Sequence, residues 1–197
     1  MDRASIFEKL RSFLERSGSI TDEQFDLVKS LFSPRKVKKG HRILHEGDMT
    51  KLDIFVASGC LRTYTIDNSG KEHIIQFSTE NWWTRDLGVS GDAPAQCFIE
   101  ALEDSEILVA EDNSIEKLIK YIPGLADFYR IALQKATAVR NERIVSSLSK
   151  TAEERYDDFL KKYPSLIQRV PQHMIASYLG ISPETLSRIR KQRTRRR

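Results

Sequence analysis

The side chains best suited to chemistry lie at the C-terminus, where the last ten residues, RIRKQRTRRR, contain seven basic groups and no acid. The chain has 32 basic residues and a net charge of +4, but the 25 outside this run face 28 acidic residues, a balance of −3. A run of this kind attracts phosphate and predicts salt-dependent binding to a polyanion. A solvated tail is the alternative, and the two are compatible because a mobile basic arm also binds phosphate.

The element that would present these groups begins at Val170 with a short helix. Pro171 suits its first turn, where the missing N–H is not needed. Ile175 and Leu179 are four residues apart and share one face. Gly180 follows at the position where a left-handed residue ends a helix most easily. These features predict a helix that stops at a tight turn.

A second helix is predicted directly after this turn. Ser182 suits an N-cap and Pro183 the first helical position, while Leu186 and Ile189 form a buried stripe. Two short helices with this spacing are typical of helix-turn-helix DNA-binding proteins. The alternative is an ordinary helical hairpin, which the basic exposed face disfavours. The residues expected to face outward are Glu184, Thr185, Ser187, Arg188 and Lys191.

A β-rich region precedes these helices, at residues 35–111. Six of the nine glycines of the chain lie within residues 40–91. Short stretches of β-forming residues alternate there with turn signals, which is typical of a sandwich or barrel. Two amphipathic helices come first, at residues 3–15 and from Thr21 to a stop at Pro34. The predicted strands are 42–44, 53–57, 60–66, 72–77, 97–101 and 107–110.

The segment 125–163 contains neither glycine nor proline and predicts a long helix. Its apolar stripe needs a partner, because a lone helix is barely stable in water. That partner is the β domain, the same helix of another subunit, or both. Thr151 and Glu154 form a capping-box pattern that predicts a break near residues 149–150, with one uninterrupted helix as the alternative. The stripe consists of Leu125, Phe128, Ala132, Ala136 and Val139.

The composition argues against several classes of protein. No apolar run approaches the ~18 residues of a membrane span, and the N-terminus lacks the apolar core of a secretion signal. Cys60 and Cys97 have no CxxC or metal-ligand spacing, so we expect reduced thiols in a cytoplasmic protein. A metal-dependent enzyme of the cupin type needs converging histidines. His41 and His45 are four residues apart, but no GxHxH cluster exists, so we expect neither an enzyme nor a metal site.

The order of β domain, long helix, capped break and helix-turn-helix resembles the Crp/Fnr family of bacterial transcription regulators. The resemblance covers nearly the whole chain, and its last segment is the most specific. Besides the long helix, it is carried by EGD at 46–48, VASGCLRTY at 56–64, AEER at 152–155 and IASYLGISPETLSRIRK at 175–191.

The resemblance implies an α+β fold and a homodimer on a pseudo-palindromic site in double-stranded DNA. It divides the chain into an N-terminal double-stranded β-helix (jelly-roll) sensor domain of the cyclic-nucleotide-binding type at 1–115, a dimerisation helix at 116–149 and a helix-turn-helix domain at 150–197. The last of these is winged-helix-like, and its wing is reduced or absent because little chain follows Lys191.

The resemblance places the recognition helix at SPETLSR, residues 182–188. The family commonly has an Arg-Glu pair at its start and an arginine four residues after that glutamate. Glu184 and Arg188 match, but Pro183 replaces the first arginine. Arginine suits guanine O6 and N7, and glutamate can accept from cytosine N4; a surface ion pair worth about 0.2–0.5 kcal/mol is the alternative. The predicted DNA contacts are Gln172, Ser182, Glu184, Thr185, Ser187, Arg188, Lys191 and Arg193.

The resemblance also locates a candidate effector pocket. Family members that bind cyclic nucleotides have a Gly-Glu pair for the ribose and an Arg-Ser or Arg-Thr pair for the phosphate. Here Arg85-Asp86 and Ala95-Gln96 occupy these positions, so the phosphate lacks its arginine and we do not expect cAMP to bind. Arg85 as a shifted substitute is the alternative, and Trp82-Trp83 would cap a ligand or fill the pocket. The candidate pocket residues are Trp83, Arg85, Asp86, Leu87, Gln96 and Cys97.

Other cofactors of such regulators also lack their ligands. An iron–sulfur cluster needs about four cysteines, and the chain has two. His41, His45 and His73 could in principle ligate haem, but lone histidines in a β domain are more often surface residues, so we expect no haem. The expected partners are DNA, a second copy of the chain, RNA polymerase and an unidentified small-molecule effector. The alternative is a nucleotide- or small-ligand-sensing module that regulates another protein through its C-terminal helices.

Overall fold

The chain divides into two compact units. The computed structural model describes residues 3–86, 93–111, 114–122 and 124–196. The first unit, here called the roll unit, comprises Met1–Thr65 and Gln76–Ala132, and the second, the helical unit, comprises Ile66–Ile75 and Leu133–Arg197. The predicted division near residue 150 differs from this one, because residues 66–75 and 133–149 pack with the C-terminal helices.

The described residues contain eight strands in two four-stranded sheets. They are β1 (Ser33–Val37), β2 (Arg42–Leu44), β3 (Leu52–Ser58), β4 (Leu61–Ile66), β5 (Glu72–Ser78), β6 (Trp82–Arg85), β7 (Phe98–Ala101) and β8 (Ser105–Glu111). The order is β1-β8-β3-β6 in one sheet and β2-β7-β4-β5 in the other, with neighbours such as β1 and β8 antiparallel. Each sheet combines strands that are distant in sequence, which confirms the predicted jelly-roll class.

Strand β3 explains how the roll is built, since both of its faces are buried. Ile54 and Val56 belong to the apolar interior of the roll. Phe55 and Ala57 point to the opposite face, where they join a second core formed with the helices. Side chains alternate along a strand, so one apolar run supplies both cores. At the end of this strand Gly59 has φ +98°, and a Cβ there would overlap the side chain of Ser105.

Two strands, β1 and β6, lie outside the predicted set. Both are edge strands of their sheet. β1 contains Pro34, which the sequence predicts only to stop the preceding helix. An edge strand tolerates proline, because the missing N–H removes no ladder hydrogen bond on the open side.

The helices account for the rest of the described chain. They are α1 (Arg3–Leu14), α2 (Asp22–Leu31), α3 (Ser114–Tyr121), α4 (Gly124–Ser149), α5 (Ala152–Lys162), α6 (Leu166–Arg169), α7 (Gln172–Leu179) and α8 (Pro183–Arg196), with a 3-10 turn at Glu15–Ser17. The prediction of one dimerisation helix from 116 to 149 is wrong at its start, because α3 and α4 are separate. The proline at position 123 disfavours helix in the residue before it.

The break between α4 and α5 is confirmed. Thr151 caps α5 in a capping box with Glu154, as the sequence predicts. The Arg155 guanidinium donates to the Lys150 carbonyl at 2.9 Å, at the end of α4. Lys150 also pairs with Asp158 at 2.6 Å. The junction is therefore an ordered corner in which side chains of α5 satisfy the end of α4.

Candidate nucleic-acid interface

The turn between α7 and α8 has the geometry that the sequence predicts. Gly180 is left-handed, with φ 67° and ψ 35°. The Gly180 amide donates to the Ser177 carbonyl at 3.1 Å, and the Ile181 amide donates to the Ala176 carbonyl at 3.0 Å. These two bonds satisfy the last carbonyls of α7 in the manner of a Schellman motif. The two helices therefore meet at a short and well-defined turn.

The buried stripe of the two helices is also confirmed. Ile175 and Leu179 of α7 are buried, as are Leu186 and Ile189 of α8. Ala176 is fully buried, and its small side chain allows α8 to approach closely. Burial of this face leaves the opposite face of α8 in solvent.

The N-terminus of α8 is capped by Ser182, as predicted. The Ser182 hydroxyl oxygen accepts a hydrogen bond from the Thr185 amide at 3.2 Å. A hydrogen bond from Ser182, together with one from the amide of Glu184 itself, holds the pKa of the Glu184 carboxyl below its usual value. An ionised carboxylate offers acceptors only, which is the form that matches an amino group on a base edge.

The exposed face of α8 forms an open groove. Four predicted DNA contacts line it together, namely Glu184, Ser187, Arg188 and Lys191. The groove thus combines one carboxylate, one hydroxyl and two cations on one helical face, a mixture suited to base edges and phosphates. Its other lining residues are Pro183 and Gln192. Gln192 is absent from the predicted contacts, although it lies four residues after Arg188 and the helical period would have identified it.

Three other predicted contacts lie elsewhere. Arg193 forms an ion pair with Asp157 of α5, and its guanidinium lies 5.9 Å from the ring centroid of Tyr156. The predicted DNA contact of Arg193 stays a prediction, although this side chain is paired with α5. Thr185 is half-buried beside Ser182, at the start of α8. Gln172 is exposed in the first turn of α7.

The structure brings only some of the predicted effector-pocket residues together. Trp83 packs against Phe55 and Phe32 in the helix-facing core, with ring centroids 5.4 Å and 5.8 Å apart. Arg85 is two residues further along β6 and faces the same side as Trp83. Its guanidinium donates to the Tyr129 hydroxyl, and its Nε lies 3.6 Å from Oδ1 of Asp53. Both pocket assignments are therefore wrong, since these residues point away from the interior of the roll. The resemblance to the family gives the position of these residues along the sequence, but it does not determine which face of β6 each side chain occupies.

The other pocket residues are close to one another. Asp86 accepts hydrogen bonds from the Gln96 amide at 3.4 Å and from the Cys97 thiol at 3.2 Å. Ala95, at the family's phosphate position, is buried in the apolar interior of the roll. Leu87, the remaining pocket residue, lies outside the described residues.

The surface of α4 differs from the predicted dimer stripe. Leu125 is buried in the core of its own chain, so its predicted place in a dimer interface is contradicted. Ala132, Ala136 and Val139 are half-buried, and the side chain of Phe128 lies outside the description. A three-to-four residue period identifies the apolar face of a helix, but it does not show whether the same chain or a second chain packs against that face. The large apolar side chains exposed on α4 are instead Ile131, Leu133, Ile144, Val145 and Leu148.

Comparison with known proteins agrees with this architecture. Residues 34–121 match the cyclic nucleotide-binding domain family. The chain is 23% identical to the fumarate and nitrate reduction regulatory protein of Vibrio cholerae, over 87% of this chain and 73% of that one. It is also 23% identical to the cyclic AMP receptor protein of Thermus thermophilus, over 86% and 81% of the two chains. Over most of its length the chain is thus similar to transcription regulators of the Crp/Fnr type. Its helix-turn-helix is formed by α7 and α8.

A solved structure supports the fold of the regulator. FixK2 from Bradyrhizobium japonicum superposes with a TM-score of 0.72 at 21% identity, covering 82% of this chain and 83% of that one. No helix in the described parts of the regulator is both long and apolar enough to cross a membrane. Among the same residues, no three His, Cys, Asp or Glu side chains are grouped so that they could hold a metal ion.

Proposed function

We propose that the regulator acts as a homodimer on a pseudo-palindromic operator, with α8 of each subunit in the major groove. The observation that carries this proposal is the groove on α8, where Glu184 and Arg188 lie side by side. Arg188 suits the O6 and N7 atoms of guanine, and the ionised Glu184 suits the N4 amino group of cytosine. Ser187 and Lys191 then contact phosphates, which orient the helix without specifying sequence.

The dimer in this proposal is formed by the exposed face of α4. Ile131, Ala138 and Val145 are spaced by seven residues, and all three are exposed. A second row has the same spacing and ends at Leu148, whose side chain is 83% exposed. A seven-residue repeat on a helix is the pattern of a two-stranded coiled coil, in which an identical helix covers the stripe. The expected partner is a second copy of the chain, because its α4 has the same length and the same seven-residue repeat.

The polar members of this seam are Gln134 and Asn141, which precede Leu148 by fourteen and seven residues. A polar residue in a coiled-coil seam costs stability but selects one register and one number of strands. The same register would give both subunits equivalent positions about a two-fold axis. Two α8 helices related by such an axis contact half-sites roughly 34 Å apart, one turn of DNA.

We further propose that the regulator does not respond to cAMP. Ala95 and Gln96 offer no cation where the family binds the phosphate, and Arg85 is engaged by Tyr129. A cyclic phosphate would therefore be transferred from water without a charge-assisted partner. We also expect no iron–sulfur cluster, since the chain has only two cysteines, Cys60 and Cys97, and both are buried. We expect no haem either. An unidentified small-molecule effector, contact with RNA polymerase and a cytoplasmic location complete the proposal.

Selection of bound DNA from a random pool tests this function. The full-length chain is incubated with the pool at several salt concentrations, with and without cAMP, and the retained DNA is sequenced. We expect two inverted half-sites with centres one turn apart, and the same motif with cAMP present. Enrichment of a single half-site without its inverted copy would contradict the dimer, and no enrichment at any salt concentration would contradict sequence-specific binding. A change in affinity with cAMP would contradict the proposed insensitivity.

A further inference from the structure

Arg143 connects three segments of the helical unit. From α4, its guanidinium donates to the Ile75 carbonyl at 2.6 Å and to the Ile74 carbonyl at 2.9 Å. It also donates to the Tyr178 carbonyl of α7 at 2.6 Å. The guanidinium carbon lies 4.2 Å from the centroid of the Tyr178 ring. The side chain of Arg143 therefore connects the long helix α4 both to strand β5 and to α7, the first helix of the helix-turn-helix.

Ser177, the residue before Tyr178 in α7, makes a second connection to strand β5. The Ser177 hydroxyl donates to the Glu72 carbonyl at 3.1 Å, and its oxygen accepts from the Ile74 amide at 3.0 Å. The Ser177 hydroxyl thus hydrogen-bonds one backbone carbonyl and one backbone amide of β5, as a residue of a neighbouring strand would. Arg143 and Ser177 are together named the α7 anchor.

The chemistry of the anchor requires a guanidinium. The three acceptors of Arg143 are backbone carbonyls, one bonded to Nη1 and two bonded to Nη2. Burial lowers the pKa of Arg143 from its ordinary value. The Tyr178 carbonyl lies at the C-terminal end of α7, where the helix dipole attracts a cation. A lysine ammonium is a compact charge without a planar fork, so it cannot reproduce this set of bonds.

The anchor lies some distance from the corner between α4 and α5. Arg143 precedes Lys150 by seven residues, which corresponds to about 10 Å along a helix. Attachment at the corner alone would leave α5, α7 and α8 able to rotate about that point. A second attachment at this distance leaves rotation only about the line through the two points, so the direction of that line is fixed.

We propose that Arg143 is a positioning residue that sets the spacing between half-sites accepted by the dimer. It does so by fixing α7, and through α7 the recognition helix α8, against the half of α4 that belongs to the same unit. This inference rests on the proposed function, in which α4 pairs the subunits. The core of the helix-turn-helix, formed by Ile175 and Leu186 among others, is separate from the anchor. Loss of the anchor therefore changes the spacing preference and leaves the preferred half-site unchanged.

The test uses full-length Arg143→Met, Arg143→Lys and Ser177→Ala, with Arg140→Met as a matched control on an exposed position of the same helix. Affinity is measured for the selected operator, for the same half-sites moved apart or together by one and two base pairs, and for a half-site with one base changed. One base pair changes the relation of the half-sites by about 34° and 3.4 Å, since a turn of DNA has about 10.5 base pairs. We expect wild type and Arg140→Met to prefer one spacing by about tenfold or more, a loss typical of a single mismatch.

In Arg143→Met the same preference should fall to about threefold or less, with the discrimination against the changed base intact. Arg143→Lys should not restore it, because charge without the fork is insufficient. Ser177→Ala, which removes only a hydroxyl, should give an intermediate preference and remains informative if Arg143→Met does not fold. An unchanged spacing profile in both Arg143→Met and Ser177→Ala, or equal loss of spacing and base discrimination, would overturn the inference.

Hydrogen exchange separates failure of the anchor from failure of the proposed function. In wild type the Ile74 amide is bonded to Ser177, so its exchange should be slow. We expect its rate to rise by about tenfold or more in Ser177→Ala and in Arg143→Met, but not in Arg140→Met. If wild type lacked sequence preference while this pattern held, the proposed function would fail and the anchor would stand. If Ile74 exchanged equally fast in all variants, the anchor itself would be refuted.

Discussion

Arg188 and Arg193 provide a sharp test of how α8 faces DNA, because they belong to one helix and carry the same charge. Arg188 lines the open groove, whereas Arg193 is bound to Asp157 of α5. Arg188→Ala should therefore affect the choice of base, and Arg193→Ala should affect mainly the attachment of α8 to α5. A general basic tail predicts no difference between the two substitutions.

The magnitudes follow from these surroundings. A bidentate contact of an arginine with guanine is worth about 1–3 kcal/mol of discrimination, or roughly 5- to 150-fold for each half-site. Arg188 is exposed, so its removal should change the free energy of unfolding by no more than about 0.5 kcal/mol. The pair of Arg193 and Asp157 is partly exposed, with 33% and 39% of the two side chains accessible, so its loss should cost about 1 kcal/mol of stability or less.

The assay measures the affinity of each variant for the selected operator and for operators with single base changes. Urea unfolding of the same samples gives the free energy of unfolding. Arg188→Ala should lose preference at one position in each half-site and unfold like wild type. Arg193→Ala should keep the wild-type order of operators. If Arg193→Ala relaxed the base preference while Arg188→Ala left it intact, the assignment of the DNA-facing side of α8 would be refuted.

Further substitutions test the turn, the roll, the corner and the dimer. Gly180→Ala should lower the free energy of unfolding by about 1–2 kcal/mol in a urea titration, because the left-handed conformation alone is penalised and nothing lies near the added Cβ. Gly59→Ala should cost more than Gly180→Ala in the same titration, since a strained φ is joined there by steric overlap; an equal or smaller cost would contradict the packing described. Thr151→Ala should cost about 0.5–2 kcal/mol, measured in the same way, through loss of the capping box, and Thr151→Ser should recover most of it. Leu148→Asp should yield monomers in sedimentation experiments, whereas Tyr121→Asp, at another exposed apolar residue, should not; a dimeric Leu148→Asp would exclude this face of α4 as the seam.

The features predicted correctly from the sequence are those decided within a few residues. Gly180 ends α7 and Ser182 caps α8 because the backbone needs such residues at these positions, whatever surrounds them. The same local chemistry identified the capping box at Thr151. The buried face of the helix-turn-helix followed from the helical period, which also places Glu184 and Arg188 on one face.

The features that the sequence analysis missed or placed wrongly depend on contacts between distant parts of the chain. Trp83 and Arg85 face the helices because β6 pairs with β3 in one register, and a shift by one residue would turn both inward. Arg193 is held by Asp157, which lies 36 residues earlier and is one of many acids that the sequence offers equally. Arg143 lies four residues after Val139, so in the sequence it is only a polar residue at the next position of the apolar stripe. Its acceptors are backbone carbonyls, which leave no trace in residue types.

The ionised Glu184 has a consequence for DNA that is not the operator. Hydrogen bonds from Ser182 and from the amide of Glu184 itself hold the pKa of this carboxyl below its usual value, so the charge is present before any nucleic acid arrives. In the proposed function, the cations around it attract any duplex, since phosphate is the same in every sequence. A carboxylate that meets guanine O6 or thymine O4 instead of an amino group faces another acceptor, and the two repel. If α8 contacts DNA as proposed, Glu184 thus penalises binding to other sequences and shortens each stop at an incorrect site.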